Sequence, residues 1–397
     1  MNRRAWLAVA AVAVIAVSAC TPSETVSPSA SEGASSSASP GASPNGSPGT
    51  AGGPTTVRVQ LPGPIDGQFA GYVAAQQLGY FSDDNLVVTF VPGDAANLST
   101  SYFSPGVSGP EFTVAPAVPV LAAREHGSDL VNIAQVFQKS GTVVLTWKKD
   151  GITDICGLKG KRVGLWSSGG GAVPNLHPLD DLEVTSSLAA CPLTSTDYHG
   201  VEILRDVTGF LDHSLDATQA ATYDQVAQVL EATNPTTSQQ YTTDDLTLLS
   251  PTDRHATLQD GIYASAAWLA GSGHRDVAVA FIRASIRGWL YCRDHLEDCV
   301  QFTTKAGTNL GESHTRWMIN EVNGLIWPSP GGVGQLDPVL WQQTITVATA
   351  GGALTKAPSL NAYDDSLVPD ATAILQGKDL TATDYQKGTV VVAPGGK

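Results

Sequence analysis

Basic residues are scarce in this chain: 22 Lys and Arg stand against 37 Asp and Glu, giving a formal net charge of −15 over 397 residues. No stripe of Lys and Arg with interleaved aromatics occurs, which argues against a nucleic-acid partner. Patterns that announce common chemistries are missing too. There is no His-Glu-x-x-His, and the cysteine spacings fit no zinc site. No Gly-x-Ser-x-Gly elbow appears, and the eight histidines are scattered. No Gly-x-Gly-x-x-Gly follows a strand, and the loop Ser167-Ser168-Gly169-Gly170-Gly171 lacks the Gly-Lys-Ser/Thr ending of a P-loop. The apolar run from Trp6 to Val17 is too short to span a membrane comfortably.

That run has a different use. Arg3 and Arg4 precede it, and Val17-Ser18-Ala19-Cys20 closes it with small residues, as in an export signal. A Cys directly after Ser-Ala resembles the lipobox of bacterial lipoproteins, where it becomes the acylated first residue; ordinary secretory cleavage beside an incidental Cys is the alternative. Residues 1–20 are therefore read as a lipoprotein signal peptide. Residues 21–54, almost entirely Ser, Pro, Gly, Ala and Thr, are too poor in large apolar groups to form a core and read as a disordered tether. Such a tether reaches roughly 30 Å r.m.s.. The body from Thr55 to Lys397 exceeds the roughly 250–300 residues at which one core stops growing, so two lobes are expected.

Once Cys20 is set aside, Cys156, Cys191, Cys292 and Cys299 remain. An even number in an exported protein favours two disulfides over unpaired buried thiols. Cys292 and Cys299 flank Arg293-Asp294-His295-Leu296-Glu297-Asp298, which reads as a break between helices, so a local bridge is expected there. Cys156 is then left with Cys191.

The body opens on a strand–helix–strand unit. Val57 to Leu61 alternates with a period of two, and Pro62-Gly63-Pro64 breaks it. Asp66 suits the N-cap of a helix with Phe69, Tyr72 and Val73 on one stripe, and Gly79 stands where a left-handed cap ends it. Leu86 to Val91 reads as a buried parallel strand. In such a unit the first strand's end and the helix N-terminus share the rim where α/β sheets bind ligands.

Gly67-Gln68-Phe69-Ala70-Gly71-Tyr72-Val73-Ala74, with Leu78-Gly79-Tyr80-Phe81 and Val91-Pro92-Gly93 behind it, resembles one family. These are the solute-binding proteins of ABC importers related to the sulfonate and taurine receptors and to the yeast thiamine-pyrimidine synthase. Further resemblances run along the chain: Gln135 to Ser140, Leu158 to Trp166, Leu215 to Gln225, Leu258 to Ala264, Arg275 to Trp289, and His314 to Leu340. The likeness covers most of Thr55 to about Leu360. It departs at Pro174-Asn175-Leu176-His177-Pro178, which interrupts the start of a helix and moves that start toward Leu179.

The resemblance implies the type II periplasmic-binding-protein fold, two α/β lobes joined by a hinge. Lobe 1 is expected over 55–147 and again, with C-terminal helices, over 258–397; lobe 2 is expected over 148–257, with the first crossing near Trp147-Lys148. It implies first-lobe ligand contacts at Gln68, Phe69, Tyr72, Pro92 and Gly93, and second-lobe contacts at Trp166, Ser167, Thr222 and Tyr223. Gln135 and Asp260 are further candidates, with support of the hinge as their other role. Two readings stay open for Tyr223, a cleft residue or a packed ring with a wetted hydroxyl. The Ser167–Gly171 loop is either a plain turn or a ligand-facing loop with N–H groups for an anion. Arg283 and Arg287, one helical turn apart, read as surface ion pairs ahead of an anion site.

The family's enzyme, the yeast pyrimidine synthase, carries a cysteine-rich iron-binding run and consumes pyridoxal phosphate. This chain has no clustered cysteines and carries an export signal, so neither a cofactor nor an activity is expected. The expected protein is a monomeric extracytoplasmic receptor, lipid-anchored to the bacterial membrane, that hands a small ligand to ABC permease and ATPase subunits. None of the implied contact positions is Lys or Arg, so an uncharged or weakly charged heteroaromatic, a thiamine-type pyrimidine or a flavin, is expected ahead of a sulfonate or nitrate.

Overall fold

The computed structural model describes residues 53–93, 109–166, 179–251, 254–307 and 311–397. Cys20, the tether, the Ser167–Gly171 loop and Pro174 to Pro178 lie outside them. Among the described residues the strands form two five-stranded sheets.

The first sheet has the order β2-β1-β3-β10-β4, from Leu86–Val91, Thr55–Gln60, Phe112–Ala115, Gly261–Ser265 and Leu130–Gln135. β1 pairs in parallel with β2 and β3, while β10 runs antiparallel to both its neighbours. Val57 and Val59 face inward, and Arg58 between them reaches Glu111 at 2.8 Å. The Leu86 to Val91 run, expected to be buried on both faces, is instead the edge strand, with Val87 47% exposed. Its apolar character comes from alternate residues, Leu86 and Val88, that still face the core.

The second sheet has the order β7-β6-β8-β5-β9, from His199–Ile203, Arg162–Trp166, Ala217–Ala221, Thr142–Trp147 and Leu246–Leu249. β6, β7 and β8 are parallel; β5 runs antiparallel between β8 and β9. This corrects the expected crossing near Trp147-Lys148. Thr142 to Trp147 already belongs to the second sheet, because Thr142 to Thr146 pair with β8 and Val144 to Trp147 with β9 there. The chain crosses at Gln138 to Gly141 and returns before β10.

Two glutamines lace the crossings together. Gln259 accepts from the Gly141 N–H at 3.1 Å and donates to Ser140 and Thr142 Oγ1 at 3.0 and 3.1 Å. Gln135 Nε2 donates to the Phe137 and Gln259 carbonyls, both at 2.9 Å. Each carries a side-chain amide able to satisfy backbone groups that have no ladder to join.

The first core is aromatic. Phe281 of the helix His274–Asp294 stacks on Phe112 at 4.3 Å and on Phe81 at 5.4 Å, with Tyr72 in a parallel plane at 6.5 Å. Helix Ala70–Gln77 lies hard against the same helix: a Cβ on Gly288 would stand 1.9 Å from the Gly71 carbonyl oxygen, and one on Gly71 would meet the Trp289 ring. Gly79, at φ +76°, ends the first helix in the left-handed region as expected. Arg283 pairs with Asp84 at 2.6 Å and Arg287 with Asp83 at 2.9 Å, so both guanidinium groups hold the loop before β2.

The second core gathers around Trp147, stacked on Phe210 at 4.4 Å. Helix Glu312–Ile326 serves both cores: Ile319, Val322 and Ile326 enter the first and Trp317 the second. The C-terminal stretch, mute as sequence, follows this helix. Lys387 pairs with Glu321, Asn320 donates to the Gly388 carbonyl at 2.9 Å, and Val392 joins the second core. No helix among the described residues is long and apolar enough to cross a membrane.

Cys156 is bonded to Cys191 and Cys292 to Cys299, with sequence separations of 35 and 7. Chain entropy makes the longer loop the more stabilising. Replacing both members by serine is expected to cost about 3.8 kcal/mol for Cys156 and Cys191 and about 2.5 kcal/mol for Cys292 and Cys299, read from urea unfolding. Four free thiols in the non-reduced exported protein would contradict both bonds.

Candidate functional site

A cavity of about 390 Å³ opens where the two lobes meet, within the usual size for a small-molecule site. The first lobe supplies the Pro62–Pro64 turn, Asp66, Gln68, Pro116, Val118 and Pro119. The second supplies Trp166, Asp180, Glu183, Arg205, Ala221 and Tyr223 to Gln225. The returning crossing adds Thr257, Gln259 and Asp260, and Met318 reaches in from the helix that serves both cores.

Local structure explains each placement. β1 ends at Gln60, and the turn behind it hands the chain to Asp66, which caps the next turn by accepting from the Gln68 N–H at 2.9 Å. The Gln68 side chain then donates to Asp260 Oδ2 at 2.7 Å, joining the first lobe to the returning strand. Trp166 is the last residue of β6, and Tyr223 lies two residues beyond β8. Both therefore stand at the C-terminal ends of parallel strands, where open α/β sheets place ligands.

Gln68, Trp166, Tyr223 and Asp260, four of the expected contacts, line the cavity together. Others do not. Phe69 and Tyr72 are each 1% exposed and fill the first core, because Gly71 pressed on Trp289 turns that face of the helix inward. Gly93 donates to the Gly63 carbonyl at 3.0 Å and packs on Leu61 and Pro62, so Pro92 and Gly93 brace the lining turn from behind. Gln135 is fully buried at the crossing. Thr222 presents its carbonyl to Trp317 Nε1 at 2.8 Å rather than to the cavity. Ser167 lies outside the described residues.

Apart from Asp260, sequence reasoning missed the charged lining. Asp66, Asp180, Glu183, Asp224 and Asp260 face the cavity with Arg205 as their one guanidinium among the described lining residues. Arg205 ion-pairs with Asp180 at 3.1 Å and lies over the Trp166 ring, 4.2 Å from its centroid. Glu183 is buried and takes hydrogen bonds from Ser140 at 2.6 Å and from the Thr257 hydroxyl and N–H at 2.5 and 2.8 Å. Desolvation still raises its pKa despite those donors. Burial likewise pushes Asp260 up to about 6, against the pull of Gln68 and Arg205. It pushes Asp66 up to about 7, with the neighbouring Asp224 and Asp260 charges adding to it. Burial and then Asp260 raise the Tyr223 hydroxyl. No group of three or more His, Cys, Asp or Glu suited to a metal occurs among the described residues.

Residues 66–298 match the model of one protein family, described as NMT1/THI5 like. The chain belongs to the NMT1/THI5-like family. No curated protein sequence gives a match. Among solved structures it is similar to the alkanesulfonate-binding protein SsuA from Xanthomonas axonopodis pv. citri, at 16% identity and a TM-score of 0.55 over 79% of this chain and 99% of that one. It is similar to the periplasmic nitrate-binding protein NrtA from Synechocystis PCC 6803, at 12% identity and a TM-score of 0.57 over 81% and 89%. The desulfurization enzyme DszB shares the architecture as well, at 11% identity and a TM-score of 0.52 over 81% and 100%. The fold of this NMT1/THI5-like protein is thus the two-lobed fold of periplasmic binding proteins.

One charged knot ties the lobes beside the cavity. His314, on the shared helix, contacts Glu231 through Nδ1 at 2.7 Å and Asp224 through Nε2 at 3.2 Å. Burial alone would lower its pKa; the hydrogen bonds to Asp224 and Glu231 outweigh burial and raise it to about 10. The imidazole is therefore a cation at neutral pH. His314→Gln, which leaves two carboxylates facing each other, is expected to cost about 3 kcal/mol. A raised histidine pKa stabilises fully below its ordinary value of 6.5, and the benefit fades to nothing as pH climbs through about 10. The gap in unfolding midpoint between wild type and His314→Gln should shrink steadily over that interval; a gap that is flat with pH would contradict the knot.

Proposed function

We propose that this chain is the extracytoplasmic receptor of an ABC importer, anchored by a lipid on Cys20, and that its lobes close over a heteroaromatic ligand. The observation that carries the reading is the cavity between the lobes, where Trp166 and Tyr223 offer rings and Gln68 and Asp260 offer donors and acceptors. One stacked aromatic pair adds roughly 0.5–1.5 kcal/mol beyond its buried area. Two such contacts with buried hydrogen bonds suffice for the about −8 kcal/mol of micromolar affinity. The structural neighbours named as binding proteins support a receptor, and the name of one neighbour as an enzyme does not outweigh the site. All four cysteines among the described residues are bonded in pairs, and no Cys or His stands among the described lining residues.

The neighbours' names offer an anion, a sulfonate or nitrate, as the other ligand class. The described lining speaks against it here, because its one guanidinium is already engaged by Asp180 and lies among five carboxylates. Closure fits the architecture: each lobe keeps its own sheet, and two laced crossings join them.

Calorimetry of the full-length protein in detergent should show micromolar binding of a thiamine-type pyrimidine or a flavin. Tyr223→Ala should weaken it about tenfold, the upper end of the cost of one stacked contact. Tight binding of taurine, an alkanesulfonate or nitrate with no response to the heteroaromatics would replace the ligand class and keep the receptor. In cells, Cys20→Ser should abolish labelling by a fatty acid; equal labelling of mutant and wild type would remove the anchor.

A further inference from the structure

We propose that the ligand carries a positive charge, seated between Asp66 and Asp260 at the first-lobe side of the cavity. This rests on the receptor reading above and adds to it the sign of the ligand's charge.

The argument is a balance of charges around the cavity. Of its five carboxylates, Asp180 has Arg205, Asp224 has His314, and Glu183 has a full set of hydroxyl and N–H donors. Asp66 and Asp260 are left. Each is held by Gln68 alone, Asp66 by its N–H at 2.9 Å and Asp260 by its amide at 2.7 Å. Asp260 is 3% exposed, and its second oxygen takes no hydrogen bond from any described residue. A buried carboxylate with one neutral donor is costly, so Asp260, with the half-buried Asp66 tied to it through Gln68, calls for a cation. Trp166 gives a second, separate sign of an unfilled partner. It is 5% exposed and lines the cavity, yet its indole N–H has no acceptor among the described residues.

The groups facing this pair come from every neighbouring element. Asp260 interacts with Tyr72 of the first helix, Tyr263 of β10, Tyr223 beyond β8 and Arg205, and Asp66 interacts with Asp224, His314 and Asp260. The tyrosines are neutral and the two cations are already paired, so none supplies the missing charge. A ring cation fits the whole lining: its face lies against Tyr223, and its charge meets the carboxylates. Because burial raises both acids toward neutrality, cation binding drives protons off them, and affinity falls as pH drops below about 7.

The test uses two pyrimidines of nearly equal size, 4-amino-5-aminomethyl-2-methylpyrimidine, an ammonium ion at neutral pH, and its 5-hydroxymethyl analogue, which is neutral. Calorimetry at pH 7 on the full-length protein in detergent should show the ammonium compound binding at least tenfold tighter, with release of protons that makes the heat depend on the buffer. The gap should close by pH 5.5. Asp66→Asn keeps the capping oxygen and Asp260→Asn keeps an acceptor for Gln68, and each should narrow the gap about tenfold while melting near wild type. The neutral compound binding as tightly as the ammonium compound, or neither binding, overturns the charge and leaves the receptor standing. A sulfonate binding tightest overturns the charge and the ligand class together.

Discussion

Gly71 and Gly288 touch backbone to backbone, and the first lobe is arranged around that contact. A methyl group on either glycine would overlap the partner helix or its Trp289 ring. Helices this close cannot roll against each other, because the interior is packed at crystal-like density. The orientation of the first helix is thereby settled. Phe69 and Tyr72 go to the aromatic core with Phe281, and the turn just before them, Asp66 to Gln68, is left at the cavity rim.

A second consequence follows from the same rim. Gln68 spends its backbone on Asp66 and its side chain on Asp260, so one residue sets the spacing of two carboxylates that arrive from distant parts of the chain. Across the cavity Arg205 does the reverse, covering Trp166 and quenching Asp180. The lobes therefore face each other with unlike characters: acidic and unpaired on one side, aromatic and already neutralised on the other. His314 joins them at the back, where its charge is shared by Asp224 and Glu231.

Much of this could be read from the residues because it is local. Alternation gave the strands, Asp66 and Gly79 marked a helix's ends, and the apolar stripe of His274–Asp294 pointed the way it packs. Trp166, Tyr223, Gln68 and Asp260 were legible through motifs that end strands or begin helices. What failed was membership. A strand's pattern says that it is a strand and not which sheet it joins, so Thr142 to Trp147 was assigned to the wrong lobe. A helix stripe likewise does not say which side is core, and Tyr72 was sent to the cleft. Glu183 looks like any acidic residue in a first helical turn; only the arrival of Ser140 and Thr257 from elsewhere reveals it as buried. The C-terminal stretch, with neither alternation nor helical period, owes its place to partners on a helix already formed.

The placement of β10 bears on how the protein is made. All five strands of the second sheet lie in one stretch, 142–249, so that sheet has its full complement as soon as the stretch is synthesised. The first sheet is different: β10 sits between β3 and β4 and reaches the chain only after the entire second sheet. Until then β3 and β4 have an open slot where a strand's worth of N–H and C=O groups lacks partners. Pairing at such sequence separation is slow, and an unfilled slot invites strands of other chains. A first lobe made in chain order thus stays unfinished until the second is complete, and protection from aggregation matters most for the part that is synthesised first.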